Sequence, residues 1–237
     1  MKFQISISPR RIVAFLSIWV LFFSVAGFVV QVLRYGFNYR GRWIDLFHLD
    51  RELNYPSWYQ SFTLLFCGIL LGVIASTKKK QDDRYFRHWK ALSIMFVIFA
   101  LDESLSFHEV LIIPDLRKAL HLGGLFYFVW VIPGAIFVLV TALNYFKFLL
   151  HLPSKTRYLF IAAGGIYIGG ALAMEMVGGY YADLVGLRNL IYGTIATTEE
   201  IFEMVGVLIF VYALLAYIGR YIEDIDVRFK VLEDRDR

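Results

Sequence analysis

The 237-residue chain has one cysteine, five prolines and no lysine or arginine in the interior of its long apolar runs. The single thiol, Cys67, rules out an intrachain disulfide and leaves the redox compartment open. No stretch rich in Gly, Ser or Pro interrupts the sequence, so residues 1–237 read as one domain without a linker. Charged residues make up only 19% of the chain, against 59% hydrophobic and 18% aromatic. That balance excludes an ordinary soluble domain and gives the net charge of +4 little to do with nucleic acid.

Six apolar runs have bilayer-spanning length, near 12–33, 59–77, 91–113, 125–148, 158–181 and 190–218. Lipid leaves isolated strands with unbonded backbone groups, so the expected class is an all-α polytopic membrane protein with six transmembrane helices. The first run follows Arg10 and Arg11, yet its apolar stretch of about 22 residues is too long for a signal core and reads as a retained span. Seventeen of the 24 Lys and Arg fall on one side of this arrangement, chiefly in 78-KKKQDDRYFRHWK-90 and after Arg220, and seven on the other. The bias places both termini in the cytoplasm of a multi-pass cell-membrane protein.

Between the first two runs, 34-RYGFNYRGRWIDLFHLDRELNYPSW-58 is expected to lie along the outer membrane surface with Trp43, Phe47 and Trp58 at headgroup depth. Pro114 is expected to close the third span and Pro133 to kink the fourth. The tail 219–237 interleaves opposite charges and reads as a solvated cytoplasmic helix.

Against this apolar background stand seven acids: Asp102, Glu103 and Glu109 in the third span, Glu175 in the fifth, and Glu199, Glu200 and Glu203 in the sixth. Each costs on the order of 3 kcal/mol at mid-bilayer, about 20 kcal/mol together before depth and pairing are counted. No internal ammonium or guanidinium relieves them, so relief must come from protons, a metal ion, a cationic substrate or water. Counted along their helices, all seven fall between the bilayer middle and its outer half. At about 100° per residue Asp102 and Glu109 lie about 20° apart, and Glu199, Glu200 and Glu203 within about 100°. Glu175 shares a stripe with Gly164, Ala171 and Gly178, and Gly165-x-x-x-Gly169 offers a second close-packing face. The segments 175-EMVGG-179 and 203-EMVGV-207 set a carboxylate one turn before a glycine twice over.

Carboxylates with an imidazole, His108, at one depth suit a divalent ion such as iron, manganese or zinc. The Glu-x-x-His pairs of soluble di-iron bundles are absent, since Glu103 and His108 stand five apart. Asp102, Glu109, Glu175, Glu199, Glu203 and His108 are the candidate ligands. Glu103, Glu200 and His108 are left for proton transfer. His48, Asp50 and Glu52 in the outer segment are placed to control access. His88, His121 and His151 lie at span ends and read as interfacial, and haem would need better-placed histidines.

The motifs 50-DRELNYPSW-58, 102-DESLSFHE-109 and 199-EEIFEMVG-206 resemble a family of small, uncharacterised bacterial polytopic membrane proteins. A fainter similarity links the chain to the ceramidase and adiponectin-receptor class of membrane hydrolases, which implies a zinc site completed by histidines near the C-terminus. Here no histidine follows His151. The leading expectation is a metal-dependent membrane hydrolase or oxidase acting on a lipid or other hydrophobic substrate. A proton- or cation-coupled transporter using the same acids stands beside it, and an accessory subunit engaging a cationic partner helix is third.

Overall fold

A computed structural model of the chain describes residues 8–51, 53–105, 117 and 119–222. The described residues are helical, with no strand among them. The helices are α1 (Pro9–Gln31), α2 (Arg42–Asp45), α3 (Tyr55–Lys80), α4 (Phe86–Leu105), α5 (Val131–His151), α6 (Ser154–Ile168), α7 (Glu175–Val185) and α8 (Leu190–Tyr221). Two π-helical turns extend the ladder, Val32–Gly36 after α1 and Gly169–Met174 between α6 and α7. Among the described residues, five segments are long and apolar enough to cross a bilayer: Pro9–Gly36, α3, α5, Ser154–Val185 and α8.

The expected third span begins at Phe86, and its course beyond Leu105 lies outside the described residues, with Ser106, His108, Glu109 and Pro114. Arg87, Lys90, Asp102 and Glu103 leave α4 too charged over its described length to count as a span. Glu52 and the tail from residue 223 are likewise outside.

Helix α8 is the axis of the bundle. Half of its most apolar stretch is buried, as is slightly more than half of α3's, whereas α5 buries only 11%. One core gathers around Trp89, Phe148, Leu214 and Val211, where Trp89 meets Phe148 edge-on at 5.0 Å and Phe96 stacks on Phe210 at 4.8 Å. A smaller one joins Val20 and Phe23 of α1 to Met204 of α8 through Leu49. Helices α3 and α4 form an antiparallel pair, tied where Ser93 Oγ donates to the Gly68 carbonyl (2.7 Å) and Ser61 Oγ to that of Ala100 (2.7 Å).

The segment before α3 departs from the surface reading. Trp43 and Trp58 are exposed, but Ile44, His48 and Leu49 turn into the bundle and are buried. Burial of these side chains outweighs a headgroup position because α1 and α8 leave a gap that Leu49 fills beside Gly27. Asn54 holds the insertion in place. Its side chain accepts from Ser57 N (3.1 Å) and donates to the His48 carbonyl (2.7 Å), and Ser57 Oγ accepts from Asn54 N (3.1 Å). Residues 54–57 are thus a capping box that starts α3, with Pro56 in the first turn where no N–H is needed. Pro133 sits in the first turn of α5 for the same reason, at the helix start and not at a kink.

Candidate functional site

Two glycines let α8 approach α6 and its π turn more closely than a Cβ allows. A methyl on Gly206 would meet Tyr167 N at 2.8 Å and the Ala163 carbonyl at 3.0 Å. One on Gly170 would meet the Glu199 carbonyl at 2.8 Å and Glu203 Cγ at 3.1 Å. Of the glycines expected to pack closely, Gly178 does face α8, where a Cβ would meet Ile195 Cγ2 at 3.5 Å. Gly164, Gly165 and Gly169 have nothing within 4 Å of a built Cβ. The π turn admits an extra residue and re-phases everything after it by about 100° relative to Gly164 and Gly165. The stripe drawn from Gly164 through Glu175 at a uniform α-helical angle therefore does not hold.

The contact at Gly170 carries the acids of α8 against those of the neighbouring helices. The Tyr167 hydroxyl donates to the Glu203 carboxylate, with Glu103 of α4 and Glu200 in electrostatic reach of the same oxygen. Glu199 feels the charges of Glu175, Glu203, Glu200 and Asp50. Tyr192 lies among Asp50, Glu175 and Glu199. Glu175, the first residue after the π turn, accepts from the indole Nε1 of Trp130 at 2.9 Å. Asp102 is half-buried beside Glu103 at the end of α4, where Ser104 Oγ meets Ser61 Oγ at 2.6 Å.

Five of the acids singled out in the spans thus meet around two tyrosines, and Asp50 joins them from the inserted segment. Trp130, Tyr167 and Tyr192 escaped the sequence reading. An indole at a span end reads as an interfacial anchor, and a tyrosine in an apolar run reads as packing. The only available signal was Tyr167 one turn before Gly170. Among the described residues, no group of three or more His, Cys, Asp or Glu side chains is arranged to hold a metal ion. His108 and Glu109, two of the expected ligands, lie outside those residues.

Beyond Asp50 and Tyr192 the acids give way to a cavity of about 580 Å³ at the end of the bundle where α1 finishes and α8 begins. Arg34, Arg40, Arg51 and Arg188 line it, together with His48. Asp45 ties Arg34 and Arg51 together at 3.2 and 3.1 Å. His48 is only 4% exposed, and its Nδ1 has no hydrogen-bond partner. Burial first, then the charges of Arg34 and Arg51, lower its pKa to about 4, so the ring is neutral at pH 7. Deeper along the same helices Gln31 is fully buried and its Nε2 donates to Thr197 Oγ1 at 3.1 Å.

No curated protein sequence matches the chain, and no solved structure matches it. A family model does match over residues 13–218, from the first span through nearly all of α8, and includes every described residue of the acid cluster. The chain belongs to that family, which is defined as a domain of unknown function (DUF8692).

Proposed function

We propose that the chain is a six-span membrane protein with both termini in the cytoplasm, whose buried acids form a chamber for a cation. The carrying observation is the environment of Glu199, half-buried on the central helix, where the charges of Glu175, Glu203, Glu200 and Asp50 act on it. Such a cluster in a low-dielectric interior favours a cation or protons beside it. A divalent ion, iron, manganese or zinc, is the first occupant proposed. Glu175, Glu199 and Glu203 are the candidate donors among the described residues and would have to draw together around it, since no three of those residues are arranged to hold an ion. Asp102, His108 and Glu109 are the further donors from the third helix. Bound there, such an ion would supply Lewis-acid activation of water or oxygen against a hydrophobic substrate. Glu103 and Glu200, both in reach of Tyr167, would move protons beside it.

A second reading has its own support. Trp130 and Tyr167 already donate hydrogen bonds to Glu175 and Glu203, which reduces the need for a metal. Protons could then complete the neutralisation, and the acids would serve proton- or cation-coupled transport.

Elemental analysis of the full chain purified in detergent separates the two. The metal reading expects about one equivalent of a transition ion that Glu203→Gln removes, with no proton flux in liposomes. A metal-free protein that moves protons, and stops in Glu203→Gln, moves the assignment to transport. Neither metal nor flux, with Glu203→Gln as stable as the parent chain, sinks the cation chamber altogether.

A further inference from the structure

The arginine-lined cavity is a separate feature with the opposite charge, and nothing in the acid chamber requires it. Four guanidiniums, those of Arg34, Arg40, Arg51 and Arg188, face one space. The carboxylates beside them are Asp45, which bridges two of the four, and Asp50 on the wall. Among the described residues the four guanidiniums outnumber these two carboxylates by two. The His48 ring does not add to them, because it is neutral at pH 7. It adds a polar nitrogen in the wall, buried and without a hydrogen-bond partner. Buried polar groups of this kind normally have one, and the cavity is where it would come from. Tyr35 and Asn38 supply further polar groups to the same wall.

The chemistry on offer is specific. Guanidiniums in a fork geometry, with a hydroxyl and a neutral imidazole, match the oxygens of a phosphate group. The surroundings say where that phosphate comes from. Leu187 forms part of the wall, and Phe37, Leu53 and Leu190 stand exposed around the same end of the bundle. The Tyr39 and Trp43 rings sit at 5.9 Å, joined by a 2.8 Å hydrogen bond from Trp43 Nε1 to the Tyr39 hydroxyl, as an aromatic belt does at headgroup depth. Below, Glu175 and Glu199 beside Tyr192 repel an anion, so it is stopped at the rim with any attached chain left in the lipid.

We infer that this cavity is a binding site for the phosphate headgroup of an anionic amphiphile. The site goes beyond the cation chamber and stands whether or not the acids hold a metal.

Native mass spectrometry of the full chain in a neutral detergent tests it, with three probes: dioleoyl phosphatidic acid, diacylglycerol with the same chains, and inorganic phosphate. The expected result is one phosphatidic acid per chain, at a concentration at least tenfold below that needed for diacylglycerol. Arg40→Gln with Arg188→Gln, both at exposed positions, should weaken it at least tenfold. Lys79→Gln, exposed at the far end of α3, should not. Glu203→Gln should leave it intact, which keeps this outcome separate from the fate of the cation chamber. Displacement of the lipid by inorganic phosphate at comparable concentration would support the same anion site with a soluble source. Equal binding of phosphatidic acid and diacylglycerol overturns the inference. So does binding unchanged by the arginine substitutions, or equally reduced by Lys79→Gln.

Discussion

Gly165 and Gly170 belong to one continuous helical segment, and adding a methyl to each should have opposite consequences. At Gly165 a Cβ meets nothing within 4 Å, so Gly165→Ala gains only the intrinsic helix preference of alanine, about 1 kcal/mol. At Gly170 the same methyl meets the Glu199 carbonyl at 2.8 Å, Phe202 Cβ at 3.0 Å and Glu203 Cγ at 3.1 Å. Backbone cannot swing aside as a side-chain tip can, so α8 must move away by several tenths of an ångström. Overpacking of this kind costs about 1–3 kcal/mol. The propensity gain is common to both variants and cancels in their difference, so Gly170→Ala should lie about 1–3 kcal/mol below Gly165→Ala. At about 2–4 °C per kcal/mol this is a gap of several degrees in Tm. Cys67 provides the readout: it is the only thiol and fully buried in α3, so a maleimide dye added to detergent-solubilised protein brightens only as the bundle opens. Two variants melting within a degree of each other, or Gly165→Ala melting first, would refute the packing of the π turn on α8.

Three further outcomes can be read with the same assay. The pKa of His48 lies below its ordinary 6.5, at about 4, so the unfolded chain binds more protons and stability falls as the pH drops from 6.5 towards 4. The loss is about 2 kcal/mol by pH 5 and about 3 kcal/mol in all, and His48→Asn should flatten that part of the profile. A profile of equal slope in the variant removes His48 as the cause. Asn54→Ala loses the capping box and the bond to the His48 carbonyl, so it should lower stability by about 1–2 kcal/mol. Asn54→Ser, which can still cap, should recover part of that loss. Trp130→Phe leaves Glu175 without its indole donor and should cost about 1–3 kcal/mol, whereas Trp19→Phe, on an exposed ring, should cost almost nothing. Equal losses for the two tryptophans would count against the Trp130–Glu175 bond.

Hydropathy located the helices because a bilayer imposes one length and one composition on them, and Pro9–Gly36, α3 and α8 each contain the run from which they were expected. The acids could be placed at one level for the same reason, since rise per residue converts sequence number into depth. Rotation was less legible. The angles within α8 needed no correction, because Glu199, Glu200 and Glu203 sit on one uninterrupted helix. The angle of Glu175 did, because a π turn precedes it and nothing in GGALAM advertises a change of ladder. Motif 50-DRELNYPSW-58 was read for its charges, yet much of it is local structure. Asn54 and Ser57 cap α3, and the signature Asn-x-x-Ser before an apolar run was there to be seen. The inward turn of Ile44, His48 and Leu49 had no such signature, since it depends on a gap between α1 and α8 that exists only once they are packed.

The π turn and the acid cluster require one another. Without the extra residue, α7 would be rotated by about 100°, and Glu175 would leave both Trp130 and the neighbourhood of Glu199. A π turn forms poorer hydrogen bonds than an α turn and survives only where packing compensates. Here the compensation includes Gly170 against the Glu199 carbonyl, a contact that exists only because the residue lacks a side chain. A segment of small residues, GGALAM, therefore does two things at once: it lets α8 come close, and it turns a carboxylate from lipid towards other carboxylates. Gathering like charges in this way opposes folding, and the Trp130 indole and the Tyr167 hydroxyl offset part of that cost by donating to Glu175 and Glu203.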